Sequence, residues 1–186
     1  MNNAHSYPKG DDTPLRMARP IVLVGLMGVG KTTVGRRLAS ALDLDFIDAD
    51  EEIERAANRS ISEIFEAHGE AYFRDGERRV IARLMEEGHG VIATGGGAFV
   101  DDETRALVLE KGIAVWLDCD IDTLVERTGR KDTRPLLKTG DPRAILRNLK
   151  EIRSAAYSQA QIHIVTDDGP HEATVEKLLK ELSEWQ

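Results

Sequence analysis

Residues 20–42 read PIVLVGLMGVGKTTVGRRLASAL, and the order of residue types along them decides the fold. Pro20 to Val24 begins a short apolar, β-branched run that stops at Gly25, the pattern of a strand buried on both faces of a parallel sheet. Val34, Leu38, Ala41 and Leu42 then recur at helical spacing, which predicts a helix over 31–42. Between them GLMGVGKT, residues 25–32, has the spacing of a phosphate-binding P-loop: glycine, four residues, glycine, lysine, threonine. Glycine permits positive φ and close approach, so backbone N–H groups at Gly28, Val29 and Gly30 can wrap a phosphate at the helix N-terminus. Lys31 is placed to bridge the β- and γ-phosphates of ATP and the Thr32 hydroxyl to ligate Mg²⁺, with Thr33 beside it. At ordinary residue frequencies a chance match in a chain of this length is roughly one in a hundred. Nucleotide binding is the firmest implication; the alternative is a glycine-rich turn with a solvated lysine.

The alternation continues outward. A strand end is expected at 45–47, helices at 51–57 and 61–87 with a break at Gly69, and a strand at 90–94. Asp101 or Asp102 would cap a helix to Glu110, a strand follows at 114–117, and Asp120 would cap a helix to Thr128. A helix over 142–158, a strand at 162–165 and a helix over 171–182 complete the pattern. Five strands alternating with helices imply an α/β fold of three layers around a parallel sheet. Residues 129–141, GRKDTRPLLKTGD, break the rhythm and are too polar for core, so they read as a lid over a ligand or as a plain surface loop.

Composition narrows the class. At 186 residues the chain suits one domain able to bury a core without disulfides or a structural metal. No apolar run approaches the roughly 20 residues of a membrane span. Thirty-three acidic against 25 basic residues give a net charge of -8, which disfavours nucleic acid and requires that an anionic substrate be met by locally clustered Arg and Lys. The single cysteine, Cys119, excludes an internal disulfide and reads as a structural thiol. Residues 1–19 are polar, hold two prolines and lack the apolar core of a secretory signal; they are expected to form a flexible tail ahead of a domain at 20–186, with a cytoplasmic location.

A P-loop names a nucleotide, not a reaction. FIDAD places Asp48 and Asp50 two apart, on one face if the segment is extended, at the sheet edge where open α/β folds bind ligands. One carboxylate could hold Mg²⁺ while the other orients or deprotonates an attacking hydroxyl; alternatively Asp50 is only a helix cap. The strand before TGGGA, residues 94–98, lacks the terminal aspartate that many P-loop proteins use for Mg²⁺, which moves that role toward Asp48. Three consecutive glycines there suit a polar ligand lying on backbone, or a generic loop. Arg74 and Arg153 each share a helical row with apolar residues, so they could clasp a carboxylate in a cleft or merely snorkel at the surface. Arg130, Lys131 and Arg134 could neutralise a transferring phosphoryl group.

Taken together, GLMGVGKTT, FIDAD, the Phe73–Arg74 pair, TGGGA, TRPLL at 133–137 and RSAAY from Arg153 resemble the shikimate kinase family, in family order over residues 20 to about 182. The resemblance implies the nucleoside monophosphate kinase type of P-loop fold, with the P-loop strand central in a five-stranded parallel sheet. It also implies transfer of the ATP γ-phosphoryl to the 3-hydroxyl of shikimate, on the route to chorismate and aromatic amino acids; the chain is expected to act as a monomer. By the same resemblance Asp50 binds ring hydroxyls and serves as base, Arg74 and Arg153 clasp the substrate carboxylate, and Gly96, within Gly95–Gly97, offers a backbone contact. Lys31 and Arg134 join Asp50 as catalytic residues, Arg134 also reaching the nucleotide phosphates; Arg127 lies on adenine, and Asp48 holds Mg²⁺ through water. A gluconate kinase would keep GLMGVGKT without needing the Arg74–Arg153 pair. A nucleotide-binding regulatory module need not keep Lys31, Asp48, Asp50 and Arg134, and no Asn-Lys-x-Asp guanine-reading segment is present.

Overall fold

The computed structural model describes residues 17–130, 137 and 139–185. Five strands form one parallel sheet in the order β2-β3-β1-β4-β5. They are β1 (Ile21–Val24), β2 (Phe46–Asp48), β3 (Val91–Ala93), β4 (Ile113–Asp118) and β5 (Ile162–Val165). The fully buried run IVLV of β1 occupies the centre, as a strand apolar on both faces must. Seven helices connect and cover the strands: α1 (Lys31–Leu42), α2 (Ala49–Ala57), α3 (Ile61–Glu86), α4 (Asp102–Lys111), α5 (Ile121–Gly129), α6 (Pro142–Tyr157) and α7 (His171–Trp185).

Side-chain alternation divides the helices between two layers. Leu23 and its register partner Val115 face α1, where Leu23 meets Gly35; Val24 and its partner Trp116 face α6, where Trp116 packs against Tyr157. On the first face α1 packs against α7 and β3, and on the second α4 packs against β4. The expected three-layer parallel α/β fold is therefore present, with the P-loop strand in the middle. Met17, inside the stretch read as a tail, packs against the core. Residues 1–16, together with Lys131 and Arg134 of the expected lid, lie outside the described residues.

Local chemistry explains where the elements start. Asp101 and Asp120 cap α4 and α5 by accepting from the backbone N–H groups of Thr104 and Thr123. Ser60 and Glu63 close a reciprocal capping box at the head of α3, and Gly69, at φ 79 and ψ 179, breaks that helix where expected. One expectation fails at the end of β2. The strand runs through Asp48 and α2 begins at Ala49, so Asp48 and Asp50 do not share an extended face. The cause is Asp48 itself, whose Oδ1 accepts from the N–H groups of Asp50 at 3.0 Å and Glu51 at 3.5 Å and so starts the helix early.

The core predicts which substitutions matter. Ile81 of α3 is fully buried, whereas Ile152 of α6 is 63% exposed. Ile81→Ala should lower unfolding free energy by about 2–5 kcal/mol in a urea titration, and Ile152→Ala by less than about 0.5 kcal/mol.

Candidate active site

The loop between β1 and α1 forms one wall of a cavity of about 780 Å³, and residues from five further segments complete it. Gly30 occupies the N-cap of α1 at φ 102 and ψ 21 and offers no side-chain cap, so the first helical N–H groups remain available to an anion. Lys31 curls over the loop, its Nζ donating to the carbonyls of Gly25 at 2.7 Å and Leu26 at 3.0 Å. Gly28, Gly30, Thr32 and Thr33 line the same cavity. Arg127 reaches it from α5 and donates to the carbonyls of Val29 at 3.1 Å and Asp167 at 2.7 Å. That guanidinium, expected at the adenine, ties the phosphate loop to the segment after β5.

At the C-terminal edge of the sheet, Asp48 serves two partners. Its Oδ2 accepts from Thr32 Oγ1 at 2.9 Å while its Oδ1 caps α2. The capping alternative raised for Asp50 thus belongs to Asp48: Asp50 sits in the first turn of α2, with its carboxyl group turned to Gly95. Burial, and next the charge of Asp48, push the Asp50 carboxyl up to about 6, against the pull of Lys31. Thr32, Asp48 and Asp50 all line the cavity.

The triple-glycine turn after β3 holds the remaining candidates. A Cβ on Gly95 would lie 2.8 Å from Asp50 Oδ1, and one on Gly96 would lie 3.0 Å from an Arg153 guanidinium nitrogen. One on Gly97 would collide with the guanidinium of Arg74. Each glycine therefore faces the end of a different charged side chain, an arrangement that suits a polar ligand lying on the turn. Thr94 fastens the start of the turn, its Oγ1 donating to the Leu23 carbonyl at 2.9 Å. Arg74 comes from α3 and Arg153 from α6, so the turn brings together two guanidinium groups from opposite ends of the sequence.

Two supporting residues escaped the sequence reading. Glu77, 1% exposed, accepts from Arg74 at 2.6 Å and holds that guanidinium against the turn. The available signal was a glutamate on the helical row of Phe73, Val80 and Ile81, all buried. Tyr157 is buried and donates to the Gly96 carbonyl, and its hydroxyl also engages Arg153. Cys119 is buried, in keeping with a structural thiol. Among the expected site residues, Lys131 and Arg134 lie outside the described residues.

Burial drives the Glu77 carboxyl up to about 7 despite the opposing attraction of Arg74. A carboxyl group whose folded pKa is raised binds its proton more tightly in the folded chain, so its contribution to stability declines as pH rises from about 4.5 to about 7. Glu77→Gln should remove that decline. Relative to the unmodified chain, the variant should gain about 3 kcal/mol of unfolding free energy between pH 4.5 and 7.5, at about 1.4 kcal/mol for each tenfold difference in proton affinity between the folded and unfolded chains. Parallel pH profiles of the two proteins in denaturant titrations would contradict the raised value.

Comparison with known proteins agrees with this geometry. The sequence profile of the family described as Shikimate kinase matches residues 27–183. A shikimate kinase of Novosphingobium aromaticivorans is 63% identical over 174 residues, covering 91% of this chain and 90% of its own. One from Caulobacter vibrioides is 59% identical over 172 residues, covering 92% of this chain and 86% of its own. Among solved structures, a shikimate kinase from Acinetobacter baumannii in complex with shikimate superposes with a TM-score of 0.84 at 38% identity, covering 90% of this chain and 94% of its own. A gluconokinase from Sinorhizobium meliloti shares the fold at a TM-score of 0.58 and 17% identity. With the profile spanning most of its length and relatives this similar, the chain belongs to the shikimate kinase family and is an ATP-dependent small-molecule kinase.

Proposed function

We propose that the chain moves the γ-phosphoryl group of ATP to the 3-hydroxyl of shikimate through a site centred on the Gly95–Gly97 turn. The observation that carries this reading is the turn's surround: one carboxylate, Asp50, and two guanidinium groups, Arg153 and Arg74, each against a different glycine. An acceptor lying on that turn meets cations for a carboxylate and an anion for a hydroxyl. A neutral polyol would use the anion but not the paired cations. Arg74 enters this role already aimed, because Glu77 accepts from its Nη1 at 2.6 Å and Glu70 stands 3.6 Å from its Nε. Arg153 is steadied in the same way by Tyr157.

In the reaction, the acceptor oxygen forms a bond to the γ-phosphorus while the bond from that phosphorus to the β,γ-bridging oxygen breaks, and ADP leaves with the bridging oxygen. The hydroxyl proton passes to an Asp50 carboxylate oxygen. With its pKa lifted to about 6 by burial and by Asp48, Asp50 is mostly ionised at neutral pH and basic enough to accept a proton. Lys31 and the loop N–H groups hold the β- and γ-phosphates in line with the acceptor. Arg127 takes the adenine end, and Arg134, with the 129–141 segment as a lid, brings further positive charge toward the moving phosphoryl group; that part rests on the sequence alone.

The residues present fit Mg²⁺. A hard cation that retains water prefers one or two protein oxygens beside phosphate, and Thr32 Oγ1 and Asp48 Oδ2 stand 2.9 Å apart at the phosphate loop. When bound, the ion would neutralise charge on the β- and γ-phosphate oxygens. Among the described residues no helix is long and apolar enough to cross a membrane. From the sequence reading we place the activity in the cytoplasm, in a monomer.

Coupled assays of ADP release with shikimate, gluconate or no acceptor test the substrate: only shikimate should sustain turnover, and equal rates with gluconate would overturn the choice. Lys31→Met should abolish turnover with the thermal midpoint preserved. Arg74→Ala or Arg153→Ala should raise the shikimate KM about tenfold to a few hundredfold and leave the ATP KM within a few fold, from the loss of charge-assisted hydrogen bonds. Asp50→Asn should lose most of kcat, and an unchanged kcat would remove its role as base.

A further inference from the structure

His171, the first residue of α7, stands apart from the groups assigned above. It lines the same cavity as the phosphate loop, and its ring fills the space that a side chain on Gly30 would take: a Cβ there would lie 3.1 Å from His171 Cε1 and 3.5 Å from Nδ1. The ring is half-buried, yet neither nitrogen has a hydrogen-bond partner among the described residues. Its position is fixed from outside. The next residue, Glu172, pairs with Arg37 of α1, and α1 and α7 pack along each other. Two guanidinium groups face the imidazole, Arg127 from α5 and Arg37 from α1, and Asp168 of the preceding loop lines the same cavity. Burial first, then Arg127 and Arg37, hold its pKa below the usual histidine value, so the ring is neutral near pH 7, with one N–H to donate and one lone pair.

The position along the nucleotide follows from the neighbours. On the reading of the site given above, which this inference depends on, the loop at Gly28–Lys31 wraps the β-phosphate and Arg127 lies at the adenine. His171 touches both Gly30 and the surroundings of Arg127, so it sits between base and β-phosphate. A half-buried donor with two cations beside it suits an anionic oxygen better than a hydroxyl. We propose that His171 is a nucleotide-binding residue whose imidazole hydrogen-bonds an α-phosphate oxygen of ATP or ADP.

Calorimetric titration with ADP, steady-state kinetics and NMR titration of the imidazole test this on the full chain. In the unmodified protein the His171 resonance, assigned by its loss in His171→Ala, should show a pKa that rises on saturation with ADP and does not move with adenosine, which lacks the phosphate. His171→Ala should weaken ADP binding and raise the ATP KM by about tenfold. The shikimate KM should stay within about twofold and the thermal midpoint within a few degrees. His171→Gln, which keeps a donor, should recover part of the loss. Unaltered ADP affinity in a folded His171→Ala protein would overturn the inference while leaving the nucleotide site in place. An equal pKa rise with adenosine would also overturn it, in favour of a ribose contact. Failure of the unmodified chain to bind ADP would overturn the site itself.

Discussion

The close approach of three charged side chains to the backbone of Gly95–Gly97 is the constraint on which the site depends. A single Cβ at any of these positions would displace Asp50, Arg153 or Arg74. The sheet supplies the other half of the constraint. β3 is hydrogen-bonded beside β1, so the glycine turn that leaves β3 and the phosphate loop that leaves β1 emerge side by side at the C-terminal edge. Thr94 ties the two directly through the Leu23 carbonyl. The proposed donor and acceptor sites are thus neighbours because two parallel strands are neighbours.

Charge is organised as tightly as shape. A chain of net charge -8 collects Lys31, Arg74, Arg127 and Arg153 around the cavity and its glycine turn. Each is steadied by an oxygen of the protein itself: Lys31 by loop carbonyls, Arg74 by Glu77, Arg127 by Val29 and Asp167, Arg153 by the Tyr157 hydroxyl. Such partners reduce the side-chain freedom lost when an anion binds. Burial of Glu77 and Asp50 has the opposite character, since it raises the cost of their negative charge and leaves them close to titration near neutrality. Asp50 can therefore exchange a proton, and Glu77 can hold Arg74 without cancelling it.

Much of this was legible in the sequence because it rests on local rules. The strand, loop and helix of residues 21–42 follow from periodicity and glycine spacing, and Asp101, Asp120 and Gly69 mark helix ends by their own chemistry. The error at β2 had a local cause too: two aspartates two apart compete to cap one helix, and the sequence does not say which wins. Glu77 left a local signal, three residues from Arg74 on a buried helical row, whereas Tyr157 and His171 were not legible, because each owes its place to a partner distant in sequence, the Gly96 carbonyl and the phosphate loop at Gly30. The pairing of Arg74 with Arg153 was available only through the family resemblance. No periodicity links α3 with α6.

On the proposed reading, the paired guanidinium groups at the glycine turn select an acceptor by its carboxylate. Comparing kcat/KM for shikimate and for its primary amide, on the unmodified protein at saturating ATP and Mg²⁺, tests it most directly. The account predicts that the amide, which keeps the ring and its hydroxyls but carries no charge, loses at least about tenfold in kcat/KM. An amide phosphorylated as efficiently as shikimate would contradict it.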